Sequence, residues 1–141
     1  MSTDSTKLAS IKTYILIAYI FNIIAMIIFL LGGIWEIYAG ATISSYLGPY
    51  GYYAGWGTGP IIVGIVLLVM GAFSLFIFFT RVRKMYTAVN TGDVATLKAL
   101  NNMMWAILAL IFAAGITGIM LLVAFGPINE LGQAPPPPPP T

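Results

Sequence analysis

Trp105 to Phe125 reads WAILALIFAAGITGIMLLVAF, twenty-one residues without a charge. The hydrocarbon of a bilayer is about 30 Å thick, and at about 1.5 Å per helical residue roughly 20 apolar residues cross it. Two earlier stretches meet the same length. Ile15 to Ile34 reads ILIAYIFNIIAMIIFLLGGI, with Asn22 as its one strongly polar residue, and Pro60 to Phe79 reads PIIVGIVLLVMGAFSLFIFF. Three such runs in 141 residues leave too little polar sequence to wrap them as buried core helices. The expected fold is an all-α integral membrane protein with three transmembrane helices, up-down-up, the second and third extended into a cytoplasmic helical hairpin.

Composition points the same way. The chain is 60% hydrophobic and 7% charged, with a mean hydropathy of +0.96, where ordinary globular proteins carry about 25% charged residues. A 15.1 kDa globule cannot cover its surface with so few charges, which excludes a water-soluble monomer. The absence of cysteine removes disulfides, thiol nucleophiles and thiolate metal sites, and the absence of histidine removes the commonest general base and metal ligand. The net charge of +2 gives no reason to invoke nucleic acid.

Orientation follows from lysine and arginine, which are retained on the cytoplasmic side. Lys7 and Lys12 precede the first run, and Arg81, Arg83, Lys84 and Lys98 lie between the second and third. The expected layout is a cytoplasmic segment 1–10, a transmembrane helix 11–38, an external Gly/Tyr-rich loop 39–59, a second helix 60–90 with its cytoplasmic extension, a third unit 93–126 and an external proline-rich tail 127–141. The N-terminus is then cytoplasmic, the C-terminus external, and the location the cell membrane. The first run exceeds the 7–15 apolar residues of a signal peptide, so an uncleaved anchor is expected. Gly92 suits the left-handed close of one helix and Asp93 the cap of the next.

The external segment holds Tyr46, Tyr50, Tyr52, Tyr53 and Trp56 among glycines, either as an aromatic belt at the headgroups or as a contact surface for a neighbouring subunit. Pro60 suits the first helical position. The six prolines Pro135–Pro140 read as a stiff spacer or an unstructured end. Arg81, Arg83 and Lys84 read as a membrane-surface basic cluster, where each gains about 1 kcal/mol near an anionic leaflet. No internal repeat is evident.

Polar residues inside the membrane are the default functional candidates. Counted from the run midpoints, Asn22 lies roughly 4 Å and Ser74 roughly 7 Å to the cytoplasmic side, close enough for a hydrogen bond, and Thr117 roughly 3 Å to the external side. Glu36 falls about 17 Å from the midplane, just past the hydrocarbon edge. Small residues mark helix-packing faces: Gly64, Gly71 and Ser74 on the second helix, and Ala113, Ala114, Gly115, Thr117 and Gly118 on the third. Seven methionines could suit Cu(I), but no histidine or cysteine joins them, and they read as packing residues. No catalytic, cofactor or metal residues are assigned.

The resulting expectation is a non-catalytic membrane subunit that assembles with itself or with a larger complex through its small-residue faces and aromatic loop. The alternative is a protomer of an oligomeric channel or transporter. Reporter fusions within Arg81–Lys98 are expected to read cytoplasmic; an external reading would overturn the orientation.

Overall fold

A computed structural model describes residues 3–53, 55–113, 115–133 and 137–140. Its elements are α1 (Thr3–Tyr53), α2 (Thr58–Ile77), a π-helical turn (Phe78–Val82), α3 (Arg83–Thr91), α4 (Val94–Leu100), α5 (Met103–Phe112) and α6 (Ile116–Glu130), with no strand among the described residues. Two stretches, Asp4–Tyr50 and Thr58–Thr91, are long and apolar enough to cross a membrane, and a third is reached only if α4 and α5, bent by 65°, count as one.

The helix α1 runs well past the expected boundary at Tyr38. Residues 39–53, expected to lie in a loop, are helical with one kink at Gly48 (φ 54°, ψ −147°), which precedes Pro49. Glycine reaches that conformation without a Cβ penalty, and proline has no N–H to continue the ladder. Before the kink, the hydroxyls of Thr42 and Ser45 donate to the carbonyls of Tyr38 and Thr42 at 2.8 and 2.7 Å, so the polar side chains are satisfied along the helix. Pro60 is the third residue of α2 instead of the first. It still sits among the N–H groups that have no partner in the first turn of a helix.

The two long helices pack antiparallel through glycines spaced by seven: Gly33 and Gly40 on α1, and Gly57 at the N-cap of α2 followed by Gly64 and Gly71 within it. A Cβ at Gly64 would lie 2.7 Å from the Gly33 carbonyl oxygen, and one at Gly40 would lie 2.5 Å from that of Gly57. Beyond Ala25, these glycines are the buried residues of α1 among those described. Seven-residue spacing keeps one face of each helix on its partner along a left-handed supercoil. It is a repeat of single residues, which a search for repeated segments passes over.

Large side chains fill the other end. Ile11, Ile15 and Ala18 of α1 meet Ile77, Phe78, Val82, Met85, Leu97, Leu121, Ala124 and Ile128 in one cluster. Here the expected cap is present: Gly92 is left-handed (φ 71°), and the Asp93 carboxylate accepts the Thr96 N–H at 3.0 Å. Hydrogen bonding from the Thr96 side chain, and next from the Thr96 N–H, holds the Asp93 pKa below its ordinary value of 3.8. The cap is therefore fully present above pH 3.8 and is lost as the pH falls through the lowered pKa.

The third apolar run departs from expectation. It is not one helix but two, α5 and α6, folded back on each other. Gly115 takes φ 65°, ψ −58°, close to a γ-turn geometry that a side chain adopts only under strain. Along α5, Ala106 and Ala109 lead to Ala113 on one buried face, and a Cβ at Gly118 would run into the backbone of Leu110. At the open end, Asn101 Nδ2 donates to the Phe125 carbonyl at 2.9 Å and to Asn129 Oδ1 at 3.0 Å. The end of α6 consequently returns to the start of α1, where Lys7 Nζ lies 2.9 Å from Glu130 Oε2. The expectation that the run carries the C-terminal tail to the opposite end fails, because small residues and a permissive glycine let the run close on itself.

Gly64→Val is expected to destabilise the chain by about 1–3 kcal/mol, since the added carbons meet backbone. Gly59→Ala, where nothing lies within 4 Å, should leave stability unchanged or raise it by up to about 1 kcal/mol. Thermal unfolding in detergent separates the two.

Candidate functional site: a buried polar node

The hairpin tip meets the two long helices at three polar side chains. Asn22 of α1, Ser74 of α2 and Thr117 of α6 are each fully buried. Asn22 Nδ2 donates to Ser74 Oγ at 2.6 Å and to the Ser74 carbonyl at 3.3 Å. Thr117 Oγ1 donates to the Ala18 carbonyl at 3.3 Å, one turn before Asn22. Asn22 and Ser74 meet because α1 and α2 run antiparallel in the register their glycines set. Thr117 arrives because Gly115 reverses the chain just before it.

The node is not fully satisfied. Asn22 Oδ1 accepts no hydrogen bond from the chain. An unpaired acceptor in a buried site costs about 1–3 kcal/mol, and it has room in its chemistry for one further donor or a cation. Three oxygens of neutral groups, Asn22 Oδ1, Ser74 Oγ and Thr117 Oγ1, thus stand on three different helices. None of these side chains titrates near neutral pH, so the node offers neutral donors and acceptors. No group of three or more His, Cys, Asp or Glu residues that could hold a metal ion occurs among the described residues.

The remaining candidates are dispersed. Glu36 is half-buried on α1, well beyond the node. Tyr46, Tyr50 and Trp56 are highly exposed, and the side chains of Tyr52 and Tyr53 lie outside the described residues, as does Ala114. The basic cluster divides in two. The Arg81 guanidinium lies 4.8 Å from the centre of the Trp105 ring and donates to the Leu100 carbonyl at 3.5 Å, so it ties α5 to the end of α2. Arg83 turns to Phe79, 5.7 Å from that ring's centre, and Lys84 is exposed.

Three of the expected packing glycines are occupied within one chain, whereas nothing lies within 4 Å of a Cβ built at Gly115. Gly64 and Gly71 receive Ile37 and Leu30 of α1, and Gly118 receives α5. Sequence reasoning passed over Gly33, Gly40 and Gly57, whose signal was the seven-residue spacing, and the Asn101–Asn129 pair, which had no signal until the run was known to fold back. No protein-family model, curated protein or solved structure matches this chain.

A double-mutant cycle with Asn22→Ala and Ser74→Ala is expected to return a coupling of about 0.6 kcal/mol, the average for side-chain hydrogen bonds between membrane helices. Unfolding equilibria in mixed detergent micelles measure it, and a coupling of zero would remove the node's role in holding α1 to α2.

Proposed function

We propose that the chain is a non-catalytic integral membrane subunit, built of two spans and one re-entrant hairpin, that assembles with itself or with a larger membrane complex. The observation carrying this reading is the bare half of the α1–α2 pair. Among the described residues, only two helices stand on the side of the node away from the hairpin, and Leu31, Ile34, Trp35 and Tyr38 are 59–67% exposed around a groove floored by Gly32. Tyr46, Tyr50 and Trp56 are exposed further along the chain toward the α1–α2 connection. Their rings offer large contact area at low side-chain entropy cost. With Gly64, Gly71 and Gly118 occupied inside the chain, this aromatic surface is the one we assign to assembly.

The six basic residues support a cytoplasmic N-terminus. The Lys7–Glu130 contact then supports a proline-rich tail on the cytoplasmic side, in place of the external tail expected from three full spans.

One observation favours the second reading, a protomer of an oligomeric channel or transporter. Just after the break between α5 and α6, Thr117 bonds the Ala18 carbonyl, one turn from Asn22, whose Oδ1 is unpaired. Irregular backbone at membrane depth is tolerated where protein covers it or where it lines a water-filled cavity.

Native mass spectrometry of the full chain from nanodiscs distinguishes the two. A complex larger than the monomer, lost when Trp35 and Tyr38 are both replaced by alanine, supports the subunit reading; a bare monomer overturns it. Ion flux in liposomes that disappears with Asn22→Leu supports the channel. Because the natural chain has no cysteine, Ala9→Cys and Gln133→Cys report topology directly, and both are expected to react with an impermeant thiol reagent from the cytoplasmic side only.

A further inference from the structure

Outside the node, a cavity of about 340 Å³ opens between α3 and the start of α4, lined by Phe79, Arg83, Lys84, Thr87, Ala88, Thr91, Asp93 and Thr96. We propose that it binds the headgroup of a phospholipid whose phosphate carries a hydrogen-bond-donating group, such as an ethanolamine ammonium or a glycerol hydroxyl. Residues 58–91 form one continuous helical stretch, so the lining is ordered along it. Phe79, the last residue of the apolar run, is at the end nearest the hydrocarbon. Arg83 and Lys84 follow one turn later, where a phosphate would lie.

The far wall has the opposite character. Thr87 Oγ1 donates to the Arg83 carbonyl at 3.1 Å, and Thr91 Oγ1 to the Thr87 carbonyl at 3.0 Å. Their hydrogens are committed, and their lone pairs are left to accept. Asp93 adds a carboxylate, ionised at neutral pH as an ordinary aspartate is. Among the described residues no ion pair joins Asp93 to Arg83 or Lys84, so the two charges face the cavity without cancelling each other. A ligand negative at one end and donating at the other matches both walls. Arg81, committed to Trp105 and Leu100, is not part of this cavity. The inference requires a membrane-embedded chain and is independent of assembly.

The test is native mass spectrometry of the delipidated full chain in detergent, titrated with phosphatidylethanolamine, phosphatidylglycerol, phosphatidylcholine and diacylglycerol of matched acyl chains, and with glycerol phosphate. Phosphatidylethanolamine and phosphatidylglycerol are expected to bind at least tenfold more tightly than phosphatidylcholine, whose quaternary ammonium cannot donate, and diacylglycerol should not bind. Replacing Arg83 and Lys84 together by glutamine should weaken both by tenfold or more, while Lys12→Gln, on an exposed face of α1, should not. Asp93→Asn keeps a capping side chain on α4 and should bring phosphatidylethanolamine down to the level of phosphatidylcholine. Equal binding of phosphatidylcholine, or an equal loss with Lys12→Gln, would overturn the proposal. Glycerol phosphate binding as tightly as the lipids would replace the bilayer source with a soluble phosphate ester and overturn it as well.

Discussion

Gly33 and Gly64 meet through backbone atoms, with no room for a Cβ between the helices they belong to. Lipid tails are as apolar as leucine, so the hydrophobic effect does little to join helices inside a bilayer, and contact must come from close approach. Glycines every seven residues supply that approach along one half of the α1–α2 pair. They also fix its register, and the register determines that Asn22 faces Ser74. Each later feature, from the node to the hairpin seated on it, presupposes this alignment.

The hairpin solves a different problem with related means. Folding a run of apolar residues back on itself leaves the reversal without helical hydrogen bonds, which is costly unless the rest of the chain covers it. Alanines on α5 and Gly118 on α6 bring the two arms together, Asn101 fastens the open end, and Thr117 attaches the tip to the Ala18 carbonyl. The Lys7–Glu130 pair is exposed and worth about 0–1 kcal/mol, so it marks where α6 ends more than it holds it there. Packing and satisfied polar groups hold the hairpin; its charges contribute little.

How much of this could be read from the residues depends on what each signal measures. Helical content, the two long apolar helices and the cap at Gly92 and Asp93 were legible because periodicity and cap chemistry are local. The Asn22–Ser74 contact was legible because depth can be counted along an uninterrupted helix. The third run was misread because hydropathy sums side chains over a window and carries no direction: a straight helix and a folded pair of the same residues score alike. Gly115 reads in the sequence as a packing residue, whereas its conformation turns the chain. Residues 39–53 depart in the other direction: their glycines suggest a loop, although the close packing of Gly40 on Gly57 is available only to a helix that continues past Tyr38. Arg81 and Arg83 could not be separated without knowing that α5 returns to lie beside one of them.

The uneven distribution of helices has a mechanical consequence. Set in a bilayer as proposed, the chain puts α1 and α2 alone in one leaflet, and adds α5 and α6 beside them in the other. A helix with its side chains is about 10 Å across, so the area the chain occupies roughly doubles from one leaflet to the other. In that setting the molecule would act as a wedge. Lipids around it would have to tilt or change in number between leaflets to fill the difference, and a patch of such wedges would bend the membrane toward the narrow side. Flat membranes would store that bending as elastic energy, whereas curved regions, or a partner that widens the narrow half, would release it.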